Sequence, residues 1–472
     1  MKKSRTGIIK KAICTAMCAG MLTAAAGGCA QEQPPKGRIA TDEELTAANA
    51  AVKRNELMIG CWIPPRSHQM TNEEDANARM AELKASGLNC ISTHHSDLNN
   101  IKFLQRTLDA AEKNGVKVII ELVPDLSKAG IKANLAYVRK TVDHPAVIGY
   151  NLFDEPGESA AAGLADEFAQ IREITGDSKL LLINMLPNYG PQAAMAPTPE
   201  EGLTWYQTYL NTFLKTGTDV LSFDFYPYSS NSASDAHSLQ RMMINLSDMA
   251  VMTQKYGVPA WGFMQNSSWG GMRAPEDNEL LLLSHLHLIF GLESYSYFLY
   301  ADTSNPAEGS FVGMLRWDNT LSDIYYRVQR NNERMSRMGY RFLSYRLKGF
   351  LTDKLGQPGY PEAIDDSLRL TSDAGLKKIV TDYDTLVGVF EGRSEEDNIA
   401  RGYATDPAEK GYYVLNFDPD NQSSVTLEFE AKTPYTVWGP NGIEAMGEGN
   451  SVSFNIDPCD ARFVELRTYF AE

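Results

Sequence analysis

Cysteine is almost missing from this chain once its first 29 residues are set aside, leaving only Cys61, Cys90 and Cys459. So odd and sparse a set excludes a disulfide framework, and no CxxC or His/Cys spacing offers a zinc site, so no metal is expected. Positive charge is short as well. Lys and Arg number 44 against 60 Asp and Glu, for a net charge of −16. Residues 1–28 hold five of those cations and no acid, so the remainder carries about −21. That surface argues against nucleic acid as a partner and against a basic membrane patch. Long apolar runs are missing too: 12–26 is small and apolar, but too short and too interrupted by Gly for a comfortable membrane span. No GxGxxG follows the first strand-like run, so dinucleotide binding has no support, and no cofactor is expected.

What is present begins with a leader. Lys2, Lys3, Arg5, Lys10 and Lys11 precede the apolar stretch, which closes on Ala26-Gly27-Gly28-Cys29. This resembles a bacterial lipoprotein signal, which implies that Cys29 is lipidated and that the protein is anchored at the cell envelope, on the outer membrane or facing the periplasm. Residues 29–50 read as a tether. The roughly 440 residues that remain exceed one ordinary domain, so a large and a smaller domain are expected.

Short apolar or β-branched runs recur at 58–63, 89–94, 116–123, 147–154, 180–186, 219–226, 258–265 and 294–301. Their starts lie about 27 to 39 residues apart, room for a strand, a helix and two loops. Helical periodicity fills the intervals, as at 72–86, 102–114, 238–256 and 276–290. Runs apolar throughout suit a parallel sheet buried on both faces, and eight units match a (β/α)8 TIM barrel over 51–347. A solenoid competes, but the units share no repeated motif; an open doubly wound sheet also fits the alternation. After an expected linker at 348–378 the pattern changes to short alternating runs with turn residues between them. They predict a small antiparallel β-sandwich over 379–472.

In a barrel, the carboxyl ends of the strands share one pocket. The polar and aromatic residues there are Trp62 and Arg66; His94 and His95; Asp125; Asp154 and Glu155; Asn184 and Asn188. Asp224, Tyr226 and Tyr228, Gln265 and Trp269, and Tyr300 and Asp302 complete the set. Aromatic faces with fixed amides and carboxylates suit a carbohydrate. Two carboxylates at such an edge suit glycosidic cleavage.

The stretch 147–157, with Asp154-Glu155-Pro156, resembles the fourth strand of clan A glycoside hydrolases, whose acid/base Glu follows an Asn and precedes a Pro. Phe223–Tyr228 (F-D-F-Y-P-Y), Pro259–Gln265 and Ser296–Tyr300 resemble the sixth to eighth strands of barrel glycosidase-like lipoproteins of gut polysaccharide-degrading bacteria. The resemblance covers about 55–345 and implies a glycoside hydrolase with Glu155 as proton donor. It departs at Gln265, where the clan carries its nucleophilic Glu. Three readings follow: Glu276 or Glu279 supplies the second carboxylate; Asp224 supplies it; or the barrel binds sugar without cleaving it. The expected site is therefore Glu155 and Asp224 as catalytic groups. Trp62, His94, His95, Asp154, Asn184, Tyr226, Tyr228, Gln265, Trp269 and Tyr300 are expected to bind substrate. A third class, a structural or adhesive lipoprotein, would leave these residues scattered.

Overall fold

The structure, a computed structural model, describes residues 38–195, 198–306 and 308–470. The leader and the first part of the expected tether, residues 29–37 with Cys29, lie outside the described residues. Two compact units divide the described chain: Met58–Asn332, and 38–57 together with 333–470.

The first unit is a closed barrel of eight parallel strands in sequential order. They are β1 (Met58–Trp62), β2 (Cys90–Ser92), β3 (Lys117–Glu121), β4 (Val147–Asp154), β5 (Leu180–Met185), β6 (Val220–Phe225), β7 (Ala260–Gln265) and β8 (Ser294–Phe298). Cys90, Ile119, Leu182 and Val220 pack inside it with Met58, Ile148, Leu180 and Trp261, which fills the barrel below its carboxyl-end mouth. Local chemistry sets the helix ends. Asn72 Oδ1 accepts from Asp75 N at 2.9 Å to start the helix Glu73–Ala85. Gly257, at φ +69°, stops the helix Asp235–Tyr256 in the left-handed conformation that favours glycine. Gly262 lets β7 meet its helix, since a Cβ there would lie 2.4 Å from the His287 ring.

The second unit is built on antiparallel pairing. Tyr345–Leu351, Thr385–Gly392, Lys410–Asn416 and Ala461–Glu465 follow one another in a sheet, which continues through Ser423–Gly439 to Leu376–Thr381. Ser423–Gly439 is long enough to serve two layers. Its first part pairs with Leu376–Thr381 and its last part with Ala461–Glu465, while Gly442–Ile456 folds back along its length. Val387, Val389, Tyr412, Val414, Val425, Leu427, Val437 and Val464 meet between the layers as the sandwich core. The stretch 348–378 is not a plain linker: most of Tyr345–Leu351, all of Arg369–Leu370 and the start of Leu376–Thr381 fall inside it. Lys, Gly and Asp between the apolar residues had masked these short strands. A helix, Asp42–Ala51, likewise occupies much of the expected tether, started by a capping box between Thr41 and Glu44. Trp438, an aromatic residue of this unit, is fully buried.

Candidate active site

The mouth of the barrel is organised by Asn184, at the end of β5. Its amide donates to Asp154 Oδ1 at 3.0 Å on β4 and to Asp224 Oδ1 at 2.8 Å on β6. Ser222 Oγ donates to Asn184 Oδ1 at 2.9 Å, which fixes the amide's orientation. Glu155 follows β4 with φ +49°, a left-handed backbone that costs a non-glycine residue about 1–2 kcal/mol. Its N–H donates to the Asn184 carbonyl at 2.8 Å, which helps hold that turn. The Glu155 and Asp224 carboxyls lie near enough to perturb one another, and the Tyr226 hydroxyl stands beside Asp224. Three acids from two strands thus form one network.

Their crowding shows in their acidity. Asp154 and Glu155 are open to solvent, yet the walls of the mouth surround them. Burial and then the Glu121 charge push Asp154 up to about 7, against the pull of Asn184. Asp224, only 6% exposed, is raised well above the carboxylate range by burial and by Glu155 and Asp154. Burial raises Glu155 too. Because each charge opposes the other, loss of the first proton from this pair makes loss of the second harder.

A second network stands on the neighbouring strands. Glu121, the last residue of β3, accepts from Trp62 Nε1 at 2.7 Å through Oε2 and bonds His95 Nδ1 at 2.7 Å through Oε1. That bond raises the His95 pKa, with Asp154 adding to the effect, whereas burial lowers His94 to about 4. His94, His95 and Glu121 bring three donor atoms within 4.8 Å of one another. Both Glu121 oxygens are already engaged, so the carboxylate serves to orient an indole and an imidazole. Aromatic rings wall the rest: Phe298 stacks on Trp62 at 5.3 Å and lies 4.9 Å from Tyr226 and 5.1 Å from Trp269. Tyr189 stands against Phe225, and burial first, then the charges of Asp224 and Glu155, raise its hydroxyl.

Trp62, His94, His95, Asp154, Glu155, Asn184, Asp224, Tyr226 and Trp269 therefore converge, and other expected residues turn away. Gln265 is fully buried: Oε1 accepts from Tyr228 N at 2.9 Å, and Nε2 donates to the carbonyls of Tyr228 at 2.8 Å and Arg273 at 2.6 Å. It clamps two loops and does not face a sugar. Tyr228 is buried beneath the Arg273 guanidinium, 4.9 Å above its ring. Tyr300 is buried near Glu82 and Tyr325, residues of the surrounding helices, so it points outward from the barrel. Glu279 is held by Arg273 at 2.6 Å and Glu276 by Arg327 at 3.1 Å, so neither replaces the missing β7 carboxylate. Asn188 bonds the Arg241 carbonyl, and Asp125 caps its own turn at Ser127. Arg66 pairs with Asp97 at 3.1 Å. Glu121, Phe298 and Tyr189 were missed; strand parity from Ile119 would have found Glu121, and parity from Ser296 would have found Phe298.

No protein-family model matches the chain, and no curated protein matches it. Solved structures do. The chain is similar to a β-galactosidase from Bacillus circulans sp. alkalophilus, with TM-score 0.56 and 9% identity over 87% of this chain and 99% of that one. A β-galactosidase from Rahnella sp. R3 gives TM-score 0.55 and 9% identity over 88% and 99%. A glycoside hydrolase family 5 structure from Bacteroides vulgatus gives 0.53 and 11% over 91% and 93%. These clan A neighbours share the eight-stranded parallel barrel, and at such identities the likeness establishes the fold.

Proposed function

We propose that this chain is a glycoside hydrolase that cleaves O-glycosidic bonds of an oligo- or polysaccharide, with Glu155 as acid/base and Asp224 as its partner. The observation that carries this reading is the gathering of Asp154, Glu155 and Asp224 around Asn184 inside an aromatic-walled barrel mouth. Carboxyls near enough to perturb one another favour the short separation of a retaining pair over the roughly 6.5–9.5 Å of an inverting one. Glu155 protonates the glycosidic oxygen as its bond to the anomeric carbon breaks, and the Asp224 carboxylate forms the glycosyl ester. Glu155 then takes a proton from the water that displaces Asp224. The Asn184 and Tyr226 donors favour the ionised form of Asp224 and oppose part of the rise that burial and the neighbouring acids impose. Trp62, Phe298, Tyr226 and Trp269 offer ring faces for the sugar. On the pattern ending at Cys29, the protein is proposed to be lipid-anchored at a bacterial envelope.

One observation favours a second reading, a carbohydrate-binding lipoprotein without cleavage: Gln265 is committed to backbone where clan A enzymes keep their nucleophile. The test compares residues 30–472 with Glu155→Gln on a glycan panel that begins with galactosides, following binding and product release. Release by the parent that falls by about 10³-fold or more in the variant, with binding kept, is expected of an acid/base residue. Equal binding with no release from either supports the second reading.

A further inference from the structure

We propose that Trp317 and His68 form a sugar-binding platform on the rim of the barrel, so that the substrate is a chain of several sugar units. This rests on the carbohydrate reading above. Trp317 lies in the segment after β8 and His68 in the segment after β1, and these strands are paired neighbours. Both segments leave strand carboxyl ends, the edge that carries Glu155. The rings stack at 5.4 Å with 23° between their planes, while Trp317 stays 51% exposed. One indole face thus rests on imidazole and the other is open to water.

The indole is held out deliberately. Asp302, a buried carboxylate, accepts from the N–H of Gly313 at 2.8 Å and from the N–H of Trp317, so it fastens both ends of one loop. Gln69, from the same segment as His68, donates to the Arg316 carbonyl at 2.9 Å. The turn closes through Arg316 N to Thr320 O at 2.9 Å and Asn319 N to Arg316 O at 3.0 Å, with Asn319 at φ +69°. An indole left in water forgoes the burial that stabilises a fold, whereas a ring fixed beforehand loses little freedom on binding. The flat C–H face of a pyranose matches an open indole face, and the half-buried Arg316 and exposed Asp318 beside it suit hydroxyls. Arg66, two residues before His68, pairs with Asp97 beside His94 and His95, which joins the platform to the wall of the site.

The experiment is affinity electrophoresis of residues 30–472, Trp317→Ala, Trp317→Phe and His68→Ala. The native gels contain soluble β-1,4-galactan, β-1,4-mannan or xyloglucan, and product release from the same polymers is measured in parallel. The expected result is retardation of the parent by at least one polymer, weakened about tenfold in Trp317→Ala and largely kept in Trp317→Phe, which retains a ring face. His68→Ala falls between them, because the indole loses its support. Equal retardation of the parent and Trp317→Ala, or no retardation by any of the three polymers, overturns the inference. Retardation that depends on Trp317 without product release upholds the platform while removing the hydrolase reading.

Discussion

At the scale of single residues the mouth of the barrel works against its own stability. Asp154 is ordinarily ionised above pH 4, but here its pKa is pushed up to about 7. A carboxyl whose folded pKa lies above its unfolded value stabilises the fold while it is protonated, and that contribution is lost as pH rises towards the folded pKa. Asp154→Asn is therefore expected to raise the melting temperature at pH 8 and change it little at pH 5; an equal shift at both would show that the side chain's charge is not the cost. Glu155 and Asp224 are raised as well, so the acid limb of any activity profile should lie above the ordinary carboxylate range; a limb near pH 4 would count against this crowding of acids. Much of this site could be read from Asp154-Glu155-Pro156 and F-D-F-Y-P-Y, because an apolar run ending in acids marks a strand reaching an edge. The direction of a side chain was harder to read. Tyr300 and Tyr228 sit close to real site residues in sequence but beyond the strand ends, where alternation no longer fixes the facing, and both turn into protein.

Among elements, the eight barrel strands were legible because most are largely apolar or aromatic and bounded by turn residues, and β4 begins and ends where the sequence places it. The hairpin Thr303–Asn305 with Gly309–Phe311 was not, since its strands are short and polar, yet Phe311 reaches Trp269 and Phe298 from it. β7 carries the element's least expected role. Gln265 ties its strand end to the turns at Tyr228 and Arg273 through both amide atoms. Gln265→Ala leaves those buried backbone groups unpaired and is expected to cost about 2–3 kcal/mol, measured by urea unfolding. Gln265→Glu restores the clan's residue type but sets a buried carboxylate against two carbonyls. It should be less stable at pH 8 than at pH 5 and gain no activity; a gain in turnover would mean that the side chain can swing into the mouth.

For the molecule as a whole, each unit has its own source of stability. The barrel relies on its closed sheet, while the second unit adds a buried ion pair. Glu465 and Arg341 are both fully buried, 2.9 Å apart, and Glu465 also accepts from Tyr345 and Tyr469 at 2.6 Å each and from Trp438 at 3.1 Å. Every oxygen is satisfied, so truncating one partner strands the other charge. Glu465→Ala is expected to destabilise this unit by about 3–5 kcal/mol, read as an earlier unfolding transition; a change below about 1 kcal/mol would mean that water reaches Arg341. The order of the barrel's seam bears on how the chain is made. Met58 of β1 pairs with Ser294 of β8, so ring closure waits on a segment synthesised long after the first strand. Until then β1 and the latest strand are open edges able to pair with other chains. A newborn chain is thus most vulnerable to aggregation in the interval before residue 298 is released, and a helper that shields strand edges would matter most in that interval.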